Sequence, residues 1–314
     1  MSKIKKLIKD LSPLNNRSGM PVGLYVIKVI IIFWFVKFGT ELIGEGLALG
    51  LHFVCGKNPF RGELFDAGTI TLITYFGYGL MTVIMVCYWK LFQKKTVSQL
   101  GFTGKAGTYF AGAAAGVLLS FVSIALIVLT GTITYNGVFD SIDGIFIVQM
   151  LAAFIFQGAM EEVLCRGIVL GMLKDKTPPV VSVGISTLLF IIPHLDSVMG
   201  ESGEIVLFAI ANLIVISLIF SFFTLRFKSL WAACGFHSAW NFTVFNVLGL
   251  NLSGNDEMSG AIFNMQSVGS NFLNGGAYGI EASGVTAAVL IVFLLFAMGL
   301  VTKNSGEGRI KYGV

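Results

Sequence analysis

The chain is predicted to be an all-α, polytopic membrane protein with about eight transmembrane helices and both termini on the cytoplasmic side. Three observations carry this. Of its 314 residues, 55% are hydrophobic and 12% charged, against about 25% charged in soluble domains, and its mean hydropathy is +0.83. Its apolar runs continue over ~20 residues, the length that crosses a hydrocarbon core, and do not alternate as barrel strands do. Its basic residues also segregate to one set of connections, as cytoplasmic loops require.

The elements follow in order. Residues 1–20 form a cytoplasmic amphipathic segment, with Lys3, Lys5, Lys6, Lys9 and Arg17 set against Ile4, Leu7, Ile8 and Leu11 at helical spacing. That pattern lies on an anionic membrane face. Residues 21–140 hold the first three spans, at 22–48, 67–92 and 107–130. Residues 141–250 hold four more, at 144–173, 178–195, 204–225 and 229–250. Residues 251–314 contain an outer loop rich in Gly, Asn and Ser, expected to be mobile, then a last span at 284–302 and a basic tail.

With the N-terminus inside, sixteen of the 21 Lys and Arg fall on the cytoplasmic side, the last of them being Lys303, Arg309 and Lys311. Lys57 and Arg61 fall outside, and Lys28, Lys37 and Arg166 lie within spans. The outer loops carry carboxylates instead, among them Glu63, Asp66, Asp140, Asp143, Asp256, Glu257 and Glu281. The net charge of +4 is therefore a topology signal, and no stripe suited to nucleic acid is present. Cys55, Cys87, Cys165 and Cys234 lack CxxC spacing, so neither a disulfide framework nor a zinc ribbon is expected.

In the first span, Lys28 is expected to snorkel to the inner interface. Lys37 and Glu41, four apart, are expected to neutralise each other, either as a bundle pair or as part of a cavity lining.

The most informative stretch is 157–167, where Glu161, Glu162 and Arg166 interrupt the apolar run 145–173. Ionised groups in hydrocarbon cost several kcal/mol each unless paired or facing a polar cavity. On a helix, Glu162 and Arg166 stand at i, i+4, the spacing of an ion pair. Glu161 is turned away from them, onto a face that continues back through Gln157, Ala153 and Gln149. One face thus holds a structural pair, and the other shows a free carboxylate suited to a general base. His194 follows Pro193 near the end of the fifth span, and His237 and Asn241 share a face of the seventh. His52 ends the first span, at the outer interface. With ~1.5 Å per residue, straight upright helices would leave His194 several Å farther outward than Glu161 and His237, unless tilt or a kink at Pro193 absorbs the offset.

Glu161-Glu162-x-x-x-Arg166, Phe190-x-x-x-His194 and His237-x-x-x-Asn241 resemble, in order and on successive hydrophobic helices, the three motifs of the CPBP family, the CAAX-protease and bacteriocin-processing (Abi) intramembrane endopeptidases. The resemblance covers residues 144–250. It implies hydrolysis of a peptide bond in a membrane-associated protein or peptide, as in the type II CAAX prenyl endopeptidases. Carried over, it makes Glu161 the base that activates water without an essential metal, and gives His194 the task of orienting that water. His237 and Asn241 become donors to the developing oxyanion, and Glu162 with Arg166 hold the site's geometry.

Two other readings stand beside this one. Glu161, His194 and His237 form a set that catalytic zinc uses, although no HExxH is present. The polar cluster also suits a membrane protein of bacteriocin self-immunity, or one that binds a partner without cutting it. The expected setting is a bacterial plasma membrane. The expected substrate there is a peptide or an anti-sigma-like membrane protein rather than a prenylated tail.

Overall fold

Helices account for nearly every long apolar run in the computed structural model. It describes residues 3–254 and 260–310, with side chains through residue 300. Asp256, Glu257, Lys311 and the side chains of Lys303 and Arg309, all used above for topology, lie outside what is described. In chain order the elements are α1 (Lys3–Leu11), α2 (Val22–Val54), α3 (Ala67–Leu91), α4 (Thr108–Leu129), β1 (Ile133–Val138) and α5 (Gly144–Glu162). After these come α6 (Pro179–Ile191), α7 (Gly203–Phe227), α8 (Trp231–Phe242), β2 (Phe263–Ser267) and α9 (Gly284–Ile310).

Among the described residues, six helical stretches are long and apolar enough to cross a membrane: Val22–Val54, Ala67–Leu91, Thr108–Leu129, Gly144–Leu173, Pro179–Val198 and Gly203–Phe227. This is an all-α polytopic membrane fold. Of the other two expected spans, α8 runs twelve residues before it changes pitch, and α9 is helical over Gly284–Ile310, with its apolar run followed through Leu300, the last residue whose side chain is described. α8 has no need of full length, because most of its side chains, Ala232 to Ser238 among them, are buried in protein rather than facing lipid.

What buries α8 is a set of glycines. A Cβ on Gly112 of α4 would come within 1.9 Å of the Ala232 carbonyl oxygen, and one on Gly235 of α8 within 2.0 Å of that of Tyr109. A Cβ on Gly158 of α5 would stand 2.6 Å from Ser238 Oγ. Small residues allow this close backbone approach, the usual basis of helix association in lipid. α8 is thereby clasped between α4 and α5, which fixes the depth of His237.

α1 has no buried residue, and Ile4, Leu7 and Ile8 are exposed, as suits a helix lying on lipid. Lys28 departs from expectation. It is wholly buried, and its ammonium donates to the Asn15 carbonyl (3.0 Å), Asn15 Oδ1 (2.8 Å) and the Arg17 carbonyl (2.9 Å). Three acceptors match its three N–H groups, so folding the N-terminal segment back over α2 removes the reason to snorkel.

The described parts of the loop 251–283 are built into the fold, contrary to the expected mobility. β2 pairs antiparallel with β1, Ile133 opposite Ser267 and Val138 opposite Phe263. Asn212 of α7 donates to the carbonyls of Glu281 and Ser283, both at 2.9 Å. Asn274 donates to the Thr132 carbonyl at 3.0 Å. Gly279, with φ of +97°, lies so close to Asn251 that a Cβ would meet its carbonyl oxygen at 2.1 Å. The Asn and Gly that read as loop composition serve here as backbone clamps and tight turns.

Candidate active site

Asp143 starts the helix that carries the two glutamates, its Oδ1 accepting from the amides of Ile145 and Phe146 at 3.0 Å each, as an N-cap does. α5 ends at Glu162, and the backbone continues as a π-helical segment, Val163–Leu170, then a last turn Gly171–Leu173. A second π segment, Thr243–Val247, follows Asn241. Such segments are rare and concentrate at functional sites. Here one begins directly after Glu162 and the other two residues after Asn241.

The helical division of the carboxylates is realised. Glu162 and Arg166 have fully buried side chains, and Arg166 Nη1 donates to Glu162 Oε1 at 3.0 Å. Arg166 Nη2 donates to Ser217 Oγ at 2.8 Å and to the Ser217 carbonyl at 3.2 Å. The guanidinium lies 4.5 Å from the Phe190 ring centre and 5.1 Å from that of Phe220, within cation–π range. His237 Nδ1 is 3.3 Å from the same Glu162 oxygen, and its ring stacks on Phe220 at 5.0 Å. One oxygen of this buried carboxylate thus faces a cation and an imidazole, which offsets part of the loss of its hydration, and its Oε2 is buried without a hydrogen-bond partner.

Glu161 faces the other way. Its Oε1 accepts from Gln157 Nε2 at 3.2 Å. Its Oε2 is buried without a hydrogen-bond partner, and stands 3.8 Å from both His194 Nε2 and His237 Nε2. That is beyond direct hydrogen bonding and is a spacing that one water molecule bridges. Glu161 and His194 lie on the wall of a cavity of about 230 Å³ with Phe33, Lys37, Glu41 and Tyr78. The paired Lys37 and Glu41 are therefore cavity lining.

His194 meets Glu161 despite the offset expected for straight helices, its Nε2 lying 3.8 Å from Glu161 Oε2. α6 ends at Ile191, and Ile192–His194 form a 3-10 turn that contains Pro193. His194 Nδ1 donates to the Phe190 carbonyl at 2.8 Å. A carbonyl accepts only, so Nδ1 carries a hydrogen, and Nε2 is the ring nitrogen turned toward Glu161. Asn241 enters through an intermediary: its Nδ2 donates to Gln157 Oε1 at 2.8 Å, and Gln157 donates in turn to Glu161. All six residues singled out in the sequence thus gather in one place, with Gln157 as a seventh on the Glu161 face. Sequence reasoning missed Ser217, whose part in holding Arg166 no spacing signals. It gave Phe190 no task beyond the motif, although that residue supplies both a carbonyl and a ring.

His52 is buried in the last turn of α2, its Nδ1 2.8 Å from the Ala48 carbonyl, and lies apart from this site. The four cysteines are free thiols. Two histidines and a carboxylate around one tetrahedral ion stand about 3.3 Å apart, given bonds near 2.1 Å, against the 3.8 Å separations from Glu161 here. Among the described residues, no group of three His, Cys, Asp or Glu is spaced to hold a metal ion.

Residues 143–243, about a third of the chain, match the family model described as type II CAAX prenyl endopeptidase Rce1-like. No curated protein and no solved structure matches the chain. The matched segment contains Glu161, Glu162, Arg166, His194, His237 and Asn241, and it supports assignment to the CAAX-protease (CPBP) family that the three motifs resemble.

Proposed function

We propose that the protein is an intramembrane endopeptidase that hydrolyses a peptide bond in a membrane-associated protein or peptide, with water activated by Glu161. The observation that carries this reading is the unpartnered Glu161 Oε2, set 3.8 Å from two imidazole nitrogens on a cavity wall. A water between Glu161 and His194 donates one hydrogen to each, so its oxygen lone pair turns toward the cavity. Glu161 takes the proton as the oxygen attacks the scissile carbonyl, and returns it to the leaving amine as the tetrahedral intermediate collapses.

The oxyanion is stabilised from the α8 side. Asn241 commits one N–H to Gln157 and has a second to offer. His237, donating from Nδ1 to Glu162, offers a donor at Nε2 in its doubly protonated form. Glu162 and Arg166 stay out of the reaction and fix the imidazole and the helix that carries Glu161. Water activation on this reading needs no metal. Both termini lie on the cytoplasmic side of a bacterial plasma membrane, and the substrate is a peptide or membrane protein.

Comparative peptidomics of membranes from cells with the wild-type chain and with Glu161→Ala tests the reading. Peptides that end at one cleavage motif are expected in the wild type and missing in the variant, and treatment of isolated membranes with a chelator leaves their release unchanged. Identical peptide profiles contradict the protease reading and favour partner binding without cleavage. Loss on chelation with recovery on added zinc supports the metal alternative.

A further inference from the structure

A second cavity, of about 360 Å³, lies where the ends of several helices and their connections meet. Its wall comes from four places: the turn around Ser98–Gly101, the last turns of the α5 stretch from Arg166 to Asp175, the end of α7 at Thr224 and Leu225, and the Lys228–Ser229 connection. Three cations, Arg166, Lys174 and Lys228, line it against one carboxylate, Asp175. Two lining residues hold buried donors with no acceptor, Arg166 at Nε and Thr224 at Oγ1. Buried donors normally find a partner, and a surplus of positive charge beside unused donors suits an anion with several oxygens. Lys228 also adopts φ of +51° at the α7 terminus, a conformation that ordinarily selects Gly or Asn. A lysine held there keeps its charge at the cavity despite the backbone cost.

We propose that this cavity binds a phosphate group, carried either by an anionic lipid headgroup or by a soluble phosphate compound. Basic pockets between helices at the cytoplasmic interface recognise phosphate in this way. The lysine ammonium groups supply charge-assisted hydrogen bonds, and the unused Arg166 and Thr224 donors complete the shell. The site shares no lining residue with the cavity at Glu161, and the other nitrogens of its Arg166 hold Glu162 and Ser217.

The full chain, purified in detergent, tests this with two probes. In one arm, phosphatidylglycerol and phosphatidylcholine compete for retention, read by mass spectrometry of the intact protein–lipid complex. In the other, sodium phosphate is titrated against sodium chloride at equal ionic strength, read as a shift in the unfolding temperature, since a ligand that binds only the folded state raises it. The variant is Lys174→Gln with Lys228→Gln, both exposed positions, and Lys174→Arg with Lys228→Arg restores the charge. Lys6→Gln with Lys9→Gln on α1 removes equal charge elsewhere.

Binding about tenfold weaker per lost lysine contact, with the arginine pair and the α1 pair near wild type, supports the site. Selective retention of phosphatidylglycerol assigns the phosphate to lipid, and a response to sodium phosphate alone assigns it to a soluble compound. Equal weakening in the Lys174/Lys228 and α1 variants, or no binding of either probe to the wild type, overturns it.

Discussion

Two neighbouring glutamates on one helix live in opposite surroundings. Glu162 has a fully buried side chain away from the cavity, shares one oxygen between Arg166 and His237 and keeps the other unpartnered, while Phe190 and Phe220 lie against the Arg166 guanidinium. Glu161 keeps one oxygen unpartnered beside a cavity, with two imidazole nitrogens at equal distance. One residue of helical rotation, 100°, separates a carboxylate paired in the interior from one at a cavity wall. An ion pair in a dry interior holds geometry, and its removal leaves a charge that nothing hydrates. A carboxylate on a cavity wall is free to exchange a proton, and its replacement by an amide of the same shape leaves the packing intact.

The largest expected effect breaks the dry side. Arg166→Ala removes the cation paired with buried Glu162 and costs about 3–5 kcal/mol of stability, seen as a lower unfolding temperature in detergent. An unchanged midpoint would mean that Glu162 finds another partner. Next comes the wet side: Asn241→Ala lowers turnover by about 10²–10³-fold, the usual cost of one oxyanion donor, while the unfolding temperature stays near wild type. A fall in stability with unchanged turnover per folded molecule would move Asn241 to the structural group.

A third substitution sharpens the contrast through the frame that both sides share. Gly235→Ala pushes a methyl to within 2.0 Å of the Tyr109 carbonyl oxygen. Overpacking of that kind costs about 1–3 kcal/mol. Because α8 carries His237, activity should fall along with stability. An active, less stable variant would show that the site tolerates displacement of α8.

The smallest effect concerns Glu281, a carboxylate outside the spans. Burial pushes its pKa above the ordinary carboxyl range, and the hydrogen bond from Ser253 Oγ at 2.5 Å partly opposes this. With the folded-state value raised, the native protein binds this proton more tightly than the unfolded chain does. Stability is therefore lost as pH rises from about 4.3, the unfolded value, through the folded one. Glu281→Gln should flatten that slope, gaining over wild type at pH 7 and not at pH 4. Parallel stability curves would show that Glu281 does not titrate differently on folding.

Much of the site was legible because helical geometry is local. The 100° step separates Glu161 from Glu162, and the four-residue spacings join Glu162 to Arg166 and His237 to Asn241, without knowledge of the neighbours. The apolar runs were legible because hydrocarbon imposes a length. What escaped depends on chain returning from far away. Ser217 holds Arg166 across 51 residues, and Lys28 is satisfied by carbonyls of the preceding segment. The β1–β2 pairing joins two loops about 130 residues apart, Asn274 acquires its task beside that meeting, and Gly279 acquires its own where the chain returns to Asn251. The π segments also escaped, since no residue pattern in 163–170 separates a wider helical turn from an ordinary one.

The central claim is that Glu161 serves the reaction and Glu162 serves the fold. It is tested most directly by the turnover of the Glu161→Gln protein in nanodiscs, on a peptide that the wild type cleaves. The account predicts a fall of about 10²–10⁴-fold, the contribution of a general base, at an unchanged unfolding temperature. Cleavage at the wild-type rate would contradict it.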